Sequence, residues 1–210
     1  MSRSHLPPEE PRPEGAAASQ SEAKEEKNAK KSLGPGGDLY AWLQAMASAL
    51  VVLLLVFTFV GRLIGVDGHS MDPTLNNHDM LLLQSIAYEP KQGDVVVLRK
   101  DFGDISGPIV KRVIAVGGQT VSIDYGTGTV YVDGEPLDEP YINEPMKLPT
   151  SPNSQDTLWD VPEGCVFVMG DNRNASSDSR DYRLGPVDTR YILGKALCIV
   201  LPFQHMGVIS

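Results

Sequence analysis

A chain of 210 residues with 41% apolar side chains has material for one globular domain plus a short appendage. Most of its formal net charge of −9 falls in residues 62–210, which carry twelve basic and twenty acidic groups. Such a domain is a poor partner for phosphate backbones, and nucleic-acid binding is excluded on that ground.

Residues 1–38 hold Pro, Gly, Ala and mixed charges, with almost no large apolar side chains before Leu33, and predict a disordered tail. Residues 39–61 are uncharged and strongly apolar around Leu50-Val-Val-Leu-Leu-Leu-Val-Phe57. At ~1.5 Å per residue this run matches a hydrocarbon core of about 30 Å, predicting a transmembrane helix with Tyr40 and Trp42 in an interfacial belt. A cleaved leader would begin nearer the start and end at a small-x-small site, whereas here Arg62-Leu-Ile follows. Lys24, Lys27, Lys30 and Lys31 precede the run and only Arg62 closely follows it. The tail is therefore expected in the cytoplasm and residues 62–210 outside, on the far face of the plasma membrane.

From Val66 the pattern becomes short strands: Met80–Leu83, Val95–Leu98, Ile109–Val116, Thr120–Ile123, Val130–Val132, Val166–Met169 and Ala196–Leu201. Gln92-Gly-Asp94, Gly117-Gly118, Gly126-Thr-Gly128 and Asp133-Gly134 supply turns, so the expected fold is mostly β. Cys165 and Cys198 lie in two strand-like runs and read as buried thiols, with a disulfide the alternative on the oxidising side of a membrane. The four histidines, His5, His69, His78 and His205, show no ligand spacing, so no metal is expected.

Three segments have chemical potential. Gly68-His-Ser-Met-Asp-Pro-Thr-Leu75 presents Ser70 on a loop, although an ordinary turn serine would look the same. In Pro108-Ile-Val-Lys-Arg-Val-Ile-Ala-Val-Gly117, strand alternation sets Lys111 on one face with Ile109, Val113 and Ala115. Burial there disfavours the ammonium form, and about 3 kcal/mol suffices to bring a lysine from ~10.4 to about 8, where it can act as a base. The alternative is a lysine that snorkels to water. Finally, an apolar strand runs into Gly170-Asp-Asn-Arg-Asn-Ala-Ser-Ser-Asp-Ser-Arg-Asp181, rich in pairing groups. A calcium loop fails, since the twelfth position from Asp171 is Tyr182. Asn174-Ala-Ser176 matches a glycosylation sequon, and a plain solvated loop remains the simpler reading.

Taken together, an apolar helix followed by these motifs in this order, with Gly93-Asp-Val-Val-Val97 between them, resembles the bacterial type I signal peptidases of the short, single-helix kind. The resemblance spans roughly residues 40–203. It implies acylation of Ser70 with Lys111 as general base, Ser176 orienting that lysine, and supporting ion pairs Asp178–Arg180 and Asp171–Arg112. It also implies that Met71, Leu75, Ile109 and Val110 line shallow pockets for small side chains at an Ala-x-Ala-like site. No cofactor is implied. The implied partners are preproteins with signal peptides, the lipid bilayer and, by proximity, the secretion machinery. Gly68 departs from relatives with a serine there and leaves the oxyanion to backbone N–H groups, beginning with that of Ser70. Two rival expectations are a Ser/Lys peptidase dedicated to one partner and a non-catalytic membrane-anchored domain that binds peptides.

Overall fold

A computed structural model describes residues 35–59, 61–147, 149 and 156–209. The tail expected over 1–38 lies outside this set apart from its last four residues, which belong to the helix α1, Pro35–Phe59. The helix starts ahead of the apolar run because Pro is preorganised for a first turn. Its side chains are described over 39–54, where all are exposed. Among the described residues no helix is long and apolar enough to cross a membrane.

The chain divides into two compact units between Val52 and Leu53, and all strands among the described residues lie in the second. In chain order they are β1 Gly61–Gly65, β2 Met80–Gln84, β3 Val95–Arg99, β4 Pro108–Val116, β5 Thr120–Asp124 and β6 Thr129–Val132. There follow β7 Glu135–Pro136, β8 Leu158–Asp160, β9 Cys165–Met169, β10 Val187–Asp188, β11 Ile192–Leu201 and β12 Gly207–Val208. All pairings are antiparallel. One sheet runs β1-β2-β11-β3-β4-β9-β10 with β12 on β11, and a smaller one runs β7-β6-β5-β8. The mostly β expectation holds, and all seven expected strands are present.

The strands that periodicity did not predict are short or defined by their partners. β1 has no turn signal before it and exists because Arg62, Leu63 and Ile64 pair with Leu83, Leu82 and Leu81. β11 begins at Ile192 rather than Ala196, because its first residues pair with β3 although Gly194 and Lys195 break the apolar run. Asp133 and Gly134, both with positive φ, close the β6–β7 turn at the expected Asp-Gly.

β3 explains how the core is divided. Its run Val95-Val-Val-Leu98 is buried on both faces rather than alternating. Val95 and Val97 join Val66, Met71, Leu75, Leu81, Leu83 and Val110 in one cluster, while Val96 and Leu98 join Val113, Val166 and Val168 in another. A third cluster joins the small sheet to Ile114, Phe167 and Met169, with Trp159 and Phe167 ring centroids 5.1 Å apart. Each fully buried Val, Leu or Phe contributes roughly 1.5–3 kcal/mol, so the central strands form a stiff base for the loops at their ends. Cys165 and Cys198 are unpaired and only half-buried, which corrects the expectation of buried thiols. Cys165, the first residue of β9, packs partly buried against the third cluster.

Candidate active site

Ser70 sits on the loop from β1 to β2, whose neck is closed by Val66 N–H donating to Asp79 O at 2.8 Å and His78 N–H to Val66 O at 2.9 Å. Met71 and Leu75 anchor the loop in the core, at 1% and 0% exposure, one turn apart with Leu75 N–H donating to Met71 O. That leaves Ser70 on the outer side of the turn, half-buried. Gly68 adopts φ +101° and donates its N–H to Asn77 Oδ1 at 2.9 Å. Among the described residues nothing accepts from the Ser70 N–H. His69 is exposed and pairs with Asp72 at 3.1 Å.

Lys111, on β4 opposite Val96, is 3% exposed. Its Nζ lies 2.6 Å from Ser70 Oγ and donates to Val110 O at 3.0 Å. Burial lowers its pKa to about 8. The Asp178 charge, and less strongly that of Asp171, opposes this, while Arg180 acts in the same direction as burial. The lysine does not snorkel.

The polar segment after β9 is not a solvated loop: Asp171, Arg173, Asp178, Ser179, Arg180 and Asp181 are all at most 2% exposed. β4 and β9 explain its place, because Arg112 is paired with Met169, two residues before Asp171. Arg112 donates Nε to Asp171 Oδ1 at 2.9 Å and Nη2 to Oδ2 at 2.8 Å. Thr74 Oγ1–H donates to the same Oδ2 at 2.6 Å, Asn172 N–H donates to Ser70 O at 3.1 Å, and Asn172 Nδ2 to His69 O at 3.0 Å. One loop thus grips both the strand of Lys111 and the turn of Ser70. Asp178 accepts from Arg180 Nε at 2.8 Å and from Gly170 N–H at 3.0 Å. Burial alone would raise the Asp178 carboxyl, but the Arg180 charge and these hydrogen bonds hold it below its ordinary value.

Both ion pairs named from the sequence are therefore assembled. Ser176 is buried, its hydroxyl helps hold the Asp178 carboxyl low, and Lys111 Nζ is bonded to Ser70 and Val110. The hydroxyl packs against Gly170, where an added Cβ would lie 2.3 Å from Ser176 Oγ and 2.4 Å from Ser70 O. Met71, Leu75 and Val110 share one apolar cluster beneath Ser70, whereas Ile109 packs, half-buried, in the cluster across the sheet.

Sequence reasoning did not single out Thr74, Asn77, Gly170 or Asn172. Three of them lie within quoted motifs, but their partners are distant in sequence. Arg173 pairs outside its own loop, with Glu139.

Known proteins are similar to this chain. A family model described as signal peptidase, peptidase S26, matches residues 39–201. Signal peptidase I of Bacillus licheniformis is 34% identical over 84% of this chain and 96% of its own length. A probable signal peptidase I-1 of Synechocystis is 39% identical over 76% and 81%, and signal peptidase IB of Staphylococcus aureus 34% identical over 80% and 92%. The crystal structure of a signal peptidase I from Enterococcus faecalis, 28% identical, covers 51% of this chain and 97% of its own, with a TM-score of 0.40. The chain belongs to the signal peptidase family, peptidase S26, and is an enzyme of the signal peptidase I kind.

Proposed function

We propose that this chain removes N-terminal signal peptides from exported preproteins, cutting after an Ala-x-Ala-like site by acylation of Ser70 with Lys111 as general base. The observation that carries this reading is the 2.6 Å approach of a buried Lys111 Nζ to Ser70 Oγ. When Lys111 is neutral the contact reverses: the Ser70 hydroxyl donates to the Nζ lone pair and gives up its proton as Oγ attacks the scissile carbonyl. The lysine then protonates the leaving amine, and a water activated by the same lysine releases the acyl-enzyme. Oxyanion stabilisation falls to the Ser70 N–H, which has no acceptor among the described residues.

Substrate binds extended along a strand edge, with Met71, Leu75 and Val110 shaping the pockets for small side chains. The 39–61 run spans the plasma membrane, with the tail in the cytoplasm and the catalytic domain outside. This holds Ser70 near the emerging cleavage site and raises its effective concentration there.

The test uses detergent-solubilised protein and a synthetic leader peptide. Ser70→Ala and Lys111→Ala should each lower kcat/KM by roughly 10³-fold or more. The wild-type profile should rise with pH through about 8, the pH at which Lys111 loses its proton. Undiminished cleavage by either variant, or a limb near the ordinary histidine range, removes the dyad reading.

A further inference from the structure

We propose that residues 139–147, which follow β7, form a strap that positions the dyad, with Tyr141 and Glu139 as its positioning side chains. The proposal rests on Ser70 and Lys111 acting as above. The strap leaves the small sheet and is fastened to the groups of the large sheet that flank the dyad. At its start, Glu139 takes both Nη groups of Arg173, one at 2.8 Å, in a pair whose side chains are 7% and 0% exposed. Arg173 in turn donates Nε to Gly170 O at 3.2 Å, at the residue against which Ser70 and Ser176 pack.

At the far end Asn174 holds the strap as a neighbouring strand would. Its Nδ2 donates to Glu144 Oε1 at 2.8 Å and Pro145 O at 3.2 Å, and its Oδ1 accepts from Lys147 N–H at 3.0 Å. The sequon asparagine is thereby occupied. Met146, 2% exposed, accepts from Arg180 Nη1 through Sδ at 3.1 Å.

Between these anchors the Tyr141 ring lies under the Arg112 guanidinium, 4.0 Å from centroid to Cζ. Asp171 holds the edge of that guanidinium and Tyr141 its face, so the cation has a defined plane. Arg112 is next to Lys111 in β4, and Asp171 is bonded to Thr74 of the Ser70 loop. A tilt of Arg112 would therefore be felt on both sides of the 2.6 Å contact.

The test compares Tyr141→Phe, which keeps the aromatic face, with Tyr141→Leu, which keeps apolar bulk without it, in the full chain in detergent with a synthetic leader peptide. The Phe variant should stay within about twofold of wild type, while Leu should lower kcat on the order of 10-fold to 100-fold with KM little changed. The charges facing Lys111 are Asp178, Arg180 and Asp171, and Asp171 acts to raise its pKa. Loosening Arg112 leaves Asp171 less neutralised, so the Leu variant's pH limb should move alkaline of wild type. Glu139→Gln, which keeps shape but not charge, should lower kcat in the same way. Wild-type kcat and limb in Tyr141→Leu and Glu139→Gln, a loss confined to KM, or a Phe variant as impaired as Leu would overturn the strap. Lys111→Ala run alongside separates the two readings: if it still cleaves, the dyad falls, and if it is inactive while Tyr141→Leu behaves as wild type, only the strap falls.

Discussion

Lys111 is a charge placed where folding opposes it. Its folded pKa, about 8, lies below the ordinary value of 10.5, so the native state holds the ammonium proton less tightly than the unfolded chain does. Below about 8 both states carry the proton and the native state bears the full desolvation cost. Between about 8 and 10.5 the unfolded chain binds more protons, so this group's contribution to stability rises with pH. Lys111→Met should therefore abolish cleavage yet stabilise the fold at pH 7 by on the order of 3 kcal/mol. That gain should shrink as pH is raised through the same window. Urea unfolding of both proteins across pH 7 to 10.5 checks it, and a Met variant less stable than wild type at pH 7 would contradict the account.

At the scale of elements, the turn carrying Ser70 and the end of β9 meet at a glycine. A methyl at position 170 would lie 2.4 Å from the Ser70 carbonyl and 2.6 Å from Ser176 Cβ, neither of which is the free end of a flexible chain. Gly170→Ala should push the Ser70 turn away from β4, lengthening the Ser70–Lys111 contact. Overpacking of this kind costs about 1–3 kcal/mol, and a displacement near 1 Å about 10²-fold in kcat. Thermal unfolding and steady-state kinetics on the one variant read both effects. The ion pairs work at the same scale, since Asp171 joins Arg112 of β4 to Thr74 of the Ser70 loop. Removing one partner of a buried pair costs about 3–5 kcal/mol, chiefly by stranding the other charge.

For the whole molecule, the proposed anchor makes a topological prediction. In right-side-out vesicles from a bacterium expressing the full chain, protease added outside should digest the domain bearing Ser70 and leave a protected fragment containing the tail and the 39–61 run. The protein should stay with the membrane in alkaline carbonate, as expected for about 20 apolar residues in a bilayer. Protection of the β domain, or its release by carbonate, would remove the single-pass arrangement with the domain outside.

Much of this protein can be read locally. A two-residue period, Asp-Gly and Gly-Gly turns and a doubly buried Val95-Val-Val-Leu98 specify strands, because neighbouring residues impose these patterns on one another. The alternation around Lys111 likewise implied a desolvated lysine, since burial of its face follows from Ile109, Val113 and Ala115. Helix α1 beginning at Pro35 and strand β1 were less legible, one depending on first-turn chemistry and the other on its partner strand. What neighbours could not supply was distance across the chain. Only the folded sheet brings Ser70 and Lys111, forty-one positions apart, to 2.6 Å, joins Asp171 to Thr74, and sets Glu139 on Arg173. The same holds for Ser176, whose hydroxyl lies against Gly170 through packing that no spacing encodes.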